Sequence, residues 1–171
     1  MGNLSFHIKM FKAVFLDRDG VINEERKDYV KNLDEFIILK GVSKAIKLLK
    51  EKNFLVIIIT NQSAINRKLL TNNGLNEIHN HLQDVLKNDD TSYDAIYYCP
   101  HKPEENCKCR KPKPGLLLRA AEEHSIDMEN SFLIGDSMTD IEAADAAGCK
   151  GILLKENQSL LQMVENLPVN L

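Results

Sequence analysis

Leu55-Val56-Ile57-Ile58-Ile59 is the stretch that decides the fold. It is apolar on both faces and mostly β-branched, so an extended segment here has no side to show to water. Such a strand needs helices above and below it, which is the situation of a parallel sheet in an α/β protein. Residues 54–60 are therefore predicted as a buried strand. Shorter apolar runs at 13–16, 95–98, 132–135 and 152–154 read the same way. Between them, residues 42–52, 75–86, 114–123, 138–147 and 159–165 carry apolar residues at helical spacing or helix start and stop signals, such as Gly148 after the fourth. The alternation predicts right-handed βαβ units: a Rossmann-like, doubly wound, mainly parallel sheet with helices on both faces.

The chain has 171 residues, 43% of them hydrophobic, which suits one domain with a single sizeable core, assigned to residues 10–171. Residues 1–9 read as an artificial extension or a loose leader without the apolar core of a signal peptide. A net charge of −3 argues against a general nucleic-acid or anionic-membrane binder. No apolar run approaches the roughly 20 residues of a membrane span. The expected compartment is the cytoplasm, and the expected state a monomer.

In open α/β sheets, ligands bind beyond the carboxyl ends of the strands. Here those ends carry chemistry. The first strand runs into Asp17-Arg18-Asp19-Gly20, the second into Thr60-Asn61-Gln62-Ser63, and the fourth into Gly135-Asp136-Ser137, with Asp140 one helical turn later. Arg110-Lys111 lies between the third and fourth. Each group alone reads as a loop acid, a helix cap or a solvated cation; their recurrence at one kind of place points to a shared site. Carboxylates crowded together repel, and a divalent cation at Asp17 and Asp136 resolves the conflict. Oxygen ligands with retained water suit Mg²⁺. Thr60 and Lys111 then hold phosphoryl oxygens, the arrangement of phosphoryl transfer.

Two stretches break the alternation, residues 23–36 and 99–112. The second contains Cys99-Pro100-His101 and Cys107-Lys108-Cys109, three of the four cysteines of the chain. Three thiolates and one imidazole, at Cys99, His101, Cys107 and Cys109, make a closed tetrahedral zinc site of the structural type. The intervening loop is polar and has no core, so metal would supply its order and fix Arg110 and Lys111, which follow Cys109 directly. Cys149 stands apart and reads as a small buried apolar residue.

The order of these motifs resembles the haloacid dehalogenase superfamily of phosphatases, over residues 11–154. The resemblance implies that Asp17 is the nucleophile that forms an aspartyl-phosphate and that Asp19, holding a proton, acts as acid and then as base. It implies Thr60 and Lys111 around the phosphoryl group and Mg²⁺ at Asp17, Asp19 and Asp136, with Asp140 behind them. The cysteine loop followed by Arg110-Lys111-Pro112-Lys113-Pro114-Gly115 is similar to the zinc-containing branch, which acts on heptose bisphosphate or histidinol phosphate. Asp17 to Asn23, Tyr29-Val30 and Thr60 to Ser63 look more like its heptose-acting members. By that resemblance Asp19, Glu25, Arg26, Tyr29, Thr60, Asn61, Gln62, Ser63, Arg110 and Lys111 contact substrate. The implied activity is Mg²⁺-dependent hydrolysis of the 7-phosphate of a heptose 1,7-bisphosphate, serving nucleotide-activated heptose and surface polysaccharide synthesis. Histidinol-phosphate hydrolysis, or that of another small phosphosugar, is the alternative. A polynucleotide 3′-phosphatase would need a basic groove, and a non-catalytic zinc module leaves Asp17, Asp19, Thr60 and Asp136 unexplained. The family pattern Gly-Ile-x-Arg-Gly is replaced here by Ala64-Ile65-Asn66-Arg67-Lys68, Thr by Val21 and a common Lys by Ser137. No stretch is long enough for a large cap domain.

Overall fold

The computed structural model describes residues 9–167 of the chain. The reading of the N-terminal nine residues as an extension or leader lies, apart from Lys9, outside the described residues. Five strands form one sheet: β1 (Ala13–Leu16), β2 (Leu55–Asn61), β3 (Ala95–Cys99), β4 (Phe132–Gly135) and β5 (Lys150–Leu153). Their order is β3-β2-β1-β4-β5, and every pairing is parallel. From β1 the chain winds to one edge through β2 and β3, then returns to the other side of β1 for β4 and β5. The reversal falls between β1 and β4, and a crevice opens at the carboxyl ends of such a pair.

The two-faced reading of β2 accounts for the layers. Val14, Leu16, Val56, Ile58, Phe132 and Ile134 face one cluster with α1 (Val42–Glu51), α2 (Asn72–Asn88) and α5 (Leu160–Glu165). Ala13, Phe15, Ile57, Ile59 and Leu133 face the other with α3 (Gly115–His124) and α4 (Met138–Ala147). Ile57, Ile58 and Ile59 are all fully buried; burying each such side chain contributes about 1.5–3 kcal/mol.

Helix α2 begins three residues before its sequence-predicted start, because the Thr71 hydroxyl accepts from the Gly74 amide at 3.0 Å and caps it. The irregular stretches hold single 3-10 turns at Leu33–Glu35 and Pro103–Glu105. The first is pinned to the sheet end by Glu24 N–H to Ile37 O (2.9 Å) and Leu39 N–H to Ile22 O (2.9 Å). Lys68, where the resembled pattern has glycine, adopts a left-handed φ of 60°, a conformation that disfavours a side chain with a Cβ. Among the described residues no helix is long and apolar enough to cross a membrane.

Candidate active site and zinc centre

Asp17 continues β1 by donating its amide to Ile134 O at 3.0 Å, which brings it beside the end of β4. Its Oδ1 accepts from the Arg18 amide at 2.7 Å and pairs with Lys111 Nζ at 2.8 Å. Lys111 Nζ also pairs with Asp140 Oδ1 at 2.6 Å and donates to Ile59 O at 3.0 Å. The ammonium thus combines one hydrogen bond to a carbonyl with ion pairs to two carboxylates. Burial alone would lower the Lys111 pKa, but the Asp17 and Asp140 carboxylates outweigh it and raise it.

Asp140 is fully buried in the first turn of α4. Its Oδ2 accepts from the Ser137 amide (3.2 Å) and hydroxyl (2.8 Å), so the residue that caps the helix also anchors Lys111. A Cβ at Gly135 would collide with that carboxylate, and one at Gly20, whose φ is +83°, would overlap the carboxylate of Asp136. Glycine is required at both places because an acid is packed against the backbone.

The carboxylates of Asp17, Asp136 and Asp140 each offer an oxygen, and these oxygens lie within 4.8 Å of one another. Burial, then Asp140 and Asp19, push the Asp17 pKa to about 7 against the opposing pull of Lys111. Burial, Asp140 and Glu25 push Asp136 to about 6. Three acids against one ammonium leave a site short of positive charge, and a divalent cation with oxygen ligands fits that shortfall.

Asp19 differs from its sequence-based assignment. Its side chain is outside the acidic cluster. Oδ1 accepts from Arg18 Nη2 (2.8 Å) and Asn23 Nδ2 (2.9 Å), and Oδ2 from Gln62 Nε2 (2.7 Å) and Arg18 Nη2 (3.1 Å). Burial favours a proton on Asp19, but Arg18 and these hydrogen bonds outweigh it and hold the carboxyl below its usual pKa. In this state Asp19 is ionised rather than proton-holding.

Arg18 itself was not singled out from the sequence. It is fully buried, lies 5.6 Å over the Phe36 ring, and sets Nη1 3.4 Å from His79 Nε2 on α2. A lone histidine on a helix carries no signal of such a role. Burial and the Arg18 charge push the His79 pKa from 6.5 down to about 3. A folded value below the unfolded one makes stability fall as pH drops from about 6.5 toward 3, at about 1 kcal/mol per pH unit. His79→Gln, which keeps an acceptor for Arg18, is expected to flatten that slope in denaturant melts at pH 6, 5 and 4. An unchanged slope refutes the assignment.

At the end of β2, Thr60 is fully buried and its Oγ1 accepts from Gln62 Nε2 at 2.8 Å. The Asn61 amide pairs with the main chain of Lys111, and Ser63, two residues on, is buried. The 25–29 loop is organised by its own charges. Arg26 pairs with Asp28 (3.2 Å) and Glu35 (3.6 Å), and Lys31 with the same two acids at 2.6 and 3.2 Å. Arg26 is thus occupied within its loop, while Glu25 is exposed and acts electrostatically on Asp136. Tyr29 takes a φ of 67° and lies 5.9 Å beneath the Arg67 guanidinium, a partner the sequence did not suggest.

The cysteine loop closes on itself. Cys99 Sγ lies 3.5 Å from Cys107 Sγ and 3.2 Å from Cys109 Sγ, and Cys107 and Cys109 are 3.4 Å apart. His101 Nδ1 lies 3.4 Å from Cys99 Sγ and 3.2 Å from Cys109 Sγ. Zn–S bonds of about 2.3 Å imply a tetrahedral edge near 3.8 Å, so the four atoms form a cage slightly smaller than a zinc ion would need. Arg110 Nη1 donates to His101 O at 3.1 Å, and Asn66 grips Glu105 with two bonds of 2.9 Å. The loop thereby walls a cleft of about 160 Å³ lined by Arg110 and Lys111 among others.

Comparison with known proteins agrees with this geometry. A family model described as HAD-hydrolase-like matches residues 108–169. D-glycero-beta-D-manno-heptose-1,7-bisphosphate 7-phosphatase of Helicobacter pylori (strain J99) is 46% identical over 144 residues, 84% of this chain and 82% of that protein. The enzyme of the same name from Neisseria meningitidis serogroup A is 38% identical over 160 residues, 92% and 86% of the two chains. The crystal structure of D,D-heptose 1,7-bisphosphate phosphatase from B. bronchiseptica, complexed with magnesium and phosphate, superimposes with a TM-score of 0.85 at 34% identity. That match covers 91% of this chain and 97% of the other.

Proposed function

The chain belongs to the D-glycero-beta-D-manno-heptose-1,7-bisphosphate 7-phosphatase family of HAD-like hydrolases, and from this we propose that it is a phosphoric monoester hydrolase that removes the 7-phosphate of that sugar. The observation that carries the reading is the cluster of Asp17, Asp136 and Asp140 closed by Lys111 at the β1/β4 crevice. The relatives described above are named for the heptose bisphosphate, and that supports it as the substrate.

In the proposed reaction an Asp17 carboxylate oxygen attacks phosphorus. The bond from phosphorus to the sugar O7 breaks, and Asp19 gives its proton to the departing oxygen. Asp19 then takes a proton from water, whose oxygen attacks phosphorus and releases inorganic phosphate and free Asp17. The ionised Asp19 is the form that this second half needs. For the first half, the charge of an incoming phosphate dianion raises the proton affinity of Asp19. Lys111 and the Thr60 hydroxyl stabilise the phosphoryl oxygens, and Arg110 and the 25–29 loop receive the remainder of the sugar.

Asp17, Asp136 and Asp140 are the side chains that would hold Mg²⁺. When bound, Mg²⁺ supplies charge neutralisation at the transferring group. Zn²⁺ at Cys99, His101, Cys107 and Cys109 would have a structural role.

Phosphate release should be measured with Mg²⁺ on the α and β anomers of the 1,7-bisphosphate and on histidinol phosphate. The expected result is release of a single phosphate from C7 with preference for the β anomer. A higher kcat/KM for histidinol phosphate overturns the reading.

A further inference from the structure

Asn61 and Gln62 follow Thr60 directly, in a stretch where substrate contact is expected, yet their side chains are spent inside the protein. Asn61 Oδ1 accepts the Lys111 amide at 3.1 Å, and Asn61 Nδ2 donates to the Lys111 carbonyl at 3.2 Å. Only this orientation of the amide satisfies both groups. The pair copies one rung of a sheet ladder between the end of β2 and a loop that no strand reaches. It therefore fixes the backbone from which the Lys111 ammonium is presented to Asp17.

Gln62 is 4% exposed. Both hydrogens of its Nε2 are taken, one by Asp19 Oδ2 at 2.7 Å and one by Thr60 Oγ1 at 2.8 Å. Its own amide donates to Cys99 O at 2.7 Å, at the root of the cysteine loop. With both donors used, the side chain has none for a sugar or a phosphate. A substrate would have to break a buried hydrogen bond to recruit either donor, and a buried group left unpaired costs about 1–3 kcal/mol.

We propose that Asn61 and Gln62 are positioning residues for the hydrolysis, Asn61 setting Lys111 and Gln62 setting Asp19 against Thr60, and that neither binds the sugar. The inference rests on the phosphatase reading above. It separates the two amides by consequence. Gln62 acts through Asp19, whose proton matters when an alkoxide leaves. Asn61 acts through Lys111, which matters for any phosphoryl transfer.

The test measures Gln62→Met and Asn61→Ala in the full chain with Mg²⁺, on the heptose bisphosphate and on p-nitrophenyl phosphate, whose phenolate departs without a proton. For Gln62→Met the expected kcat loss on the sugar substrate is about 10–100-fold with little change in KM, and at least about tenfold smaller on the aryl phosphate. For Asn61→Ala the expected kcat loss is about 10–100-fold on both. A raised KM at unchanged kcat in either variant makes it a substrate contact and overturns the proposal, as does wild-type behaviour or an equal loss for Gln62→Met on both substrates. If Gln62→Met does not fold, Gln62→Glu keeps the shape and replaces the donor with an acceptor facing Asp19, and the same pattern is required of it. A wild-type chain inactive on both substrates refutes the phosphatase reading itself, and the positioning roles with it.

Discussion

Asp17→Asn is expected to lower kcat for phosphate release by at least about 10⁴-fold, because the amide is neither a nucleophile nor an anion. The chain should remain folded. Asn is isosteric, and its Oδ1 still accepts from the Arg18 amide and from Lys111, the two groups that hold Asp17 now. Removing one charge also relieves repulsion with Asp140, one of the causes that raise the Asp17 pKa to about 7. The melting temperature of the metal-free variant should therefore equal or exceed that of the parent. Steady-state phosphate release and a thermal melt check both parts. Retention of more than a few per cent of parental kcat would remove Asp17 from the nucleophile's role. It would also revive the reading of the chain as a non-catalytic zinc module.

Stripping zinc, or replacing Cys109 by Ser, is the second large effect. The loop has no apolar core, and the four atoms that would bind zinc lie against one another within it. Metal content measured by mass spectrometry should fall from one zinc per chain to none. A loss of about 3 kcal/mol of ordering would lower Tm by 6–12 °C in a chain of this size. Activity should suffer unevenly. Lys111 has anchors outside the loop, in Asn61, Asp17, Asp140 and Ile59. Arg110 is held by the carbonyl of His101, a residue that would itself bind the zinc. KM for the bisphosphate is therefore expected to rise by about tenfold, the cost of one misplaced charge-assisted contact, with a smaller fall in kcat. A zinc-free, folded protein with unchanged KM refutes the scaffold role.

Much of the fold was legible. The runs at 13–16 and 132–135 coincide with β1 and β4, and the 138–147 helix with α4. Unbroken apolar strands and Gly148 at a helix end are local signals. The start of α2 was missed because Thr71 caps it before the apolar spacing begins. At the site, the sequence pointed to the right neighbourhood but not to the partners of Asp19. An acid two residues from another reads as a shared proton carrier; the structure surrounds it with Arg18, Asn23 and Gln62.

What the sequence alone determined is the layered parallel sheet, the acids at the strand ends and the grouping of three cysteines and a histidine. Each of these depends on residues close together in the chain: the two-faced strand, the polar run that ends it, the Cys-x-His and Cys-x-Cys spacings. Tertiary structure alone decided the partnerships. Lys111 meets Asn61 across fifty residues of chain, and His79 meets Arg18 across sixty-one. Those choices depend on which buried donors face which acceptors once β1, β2 and β4 lie side by side, and a hydrogen bond's distance and angle are not written in spacing. Thr60, Asn61 and Gln62 are three polar residues in a row to the sequence; packing makes two of them the supports of Lys111 and Asp19.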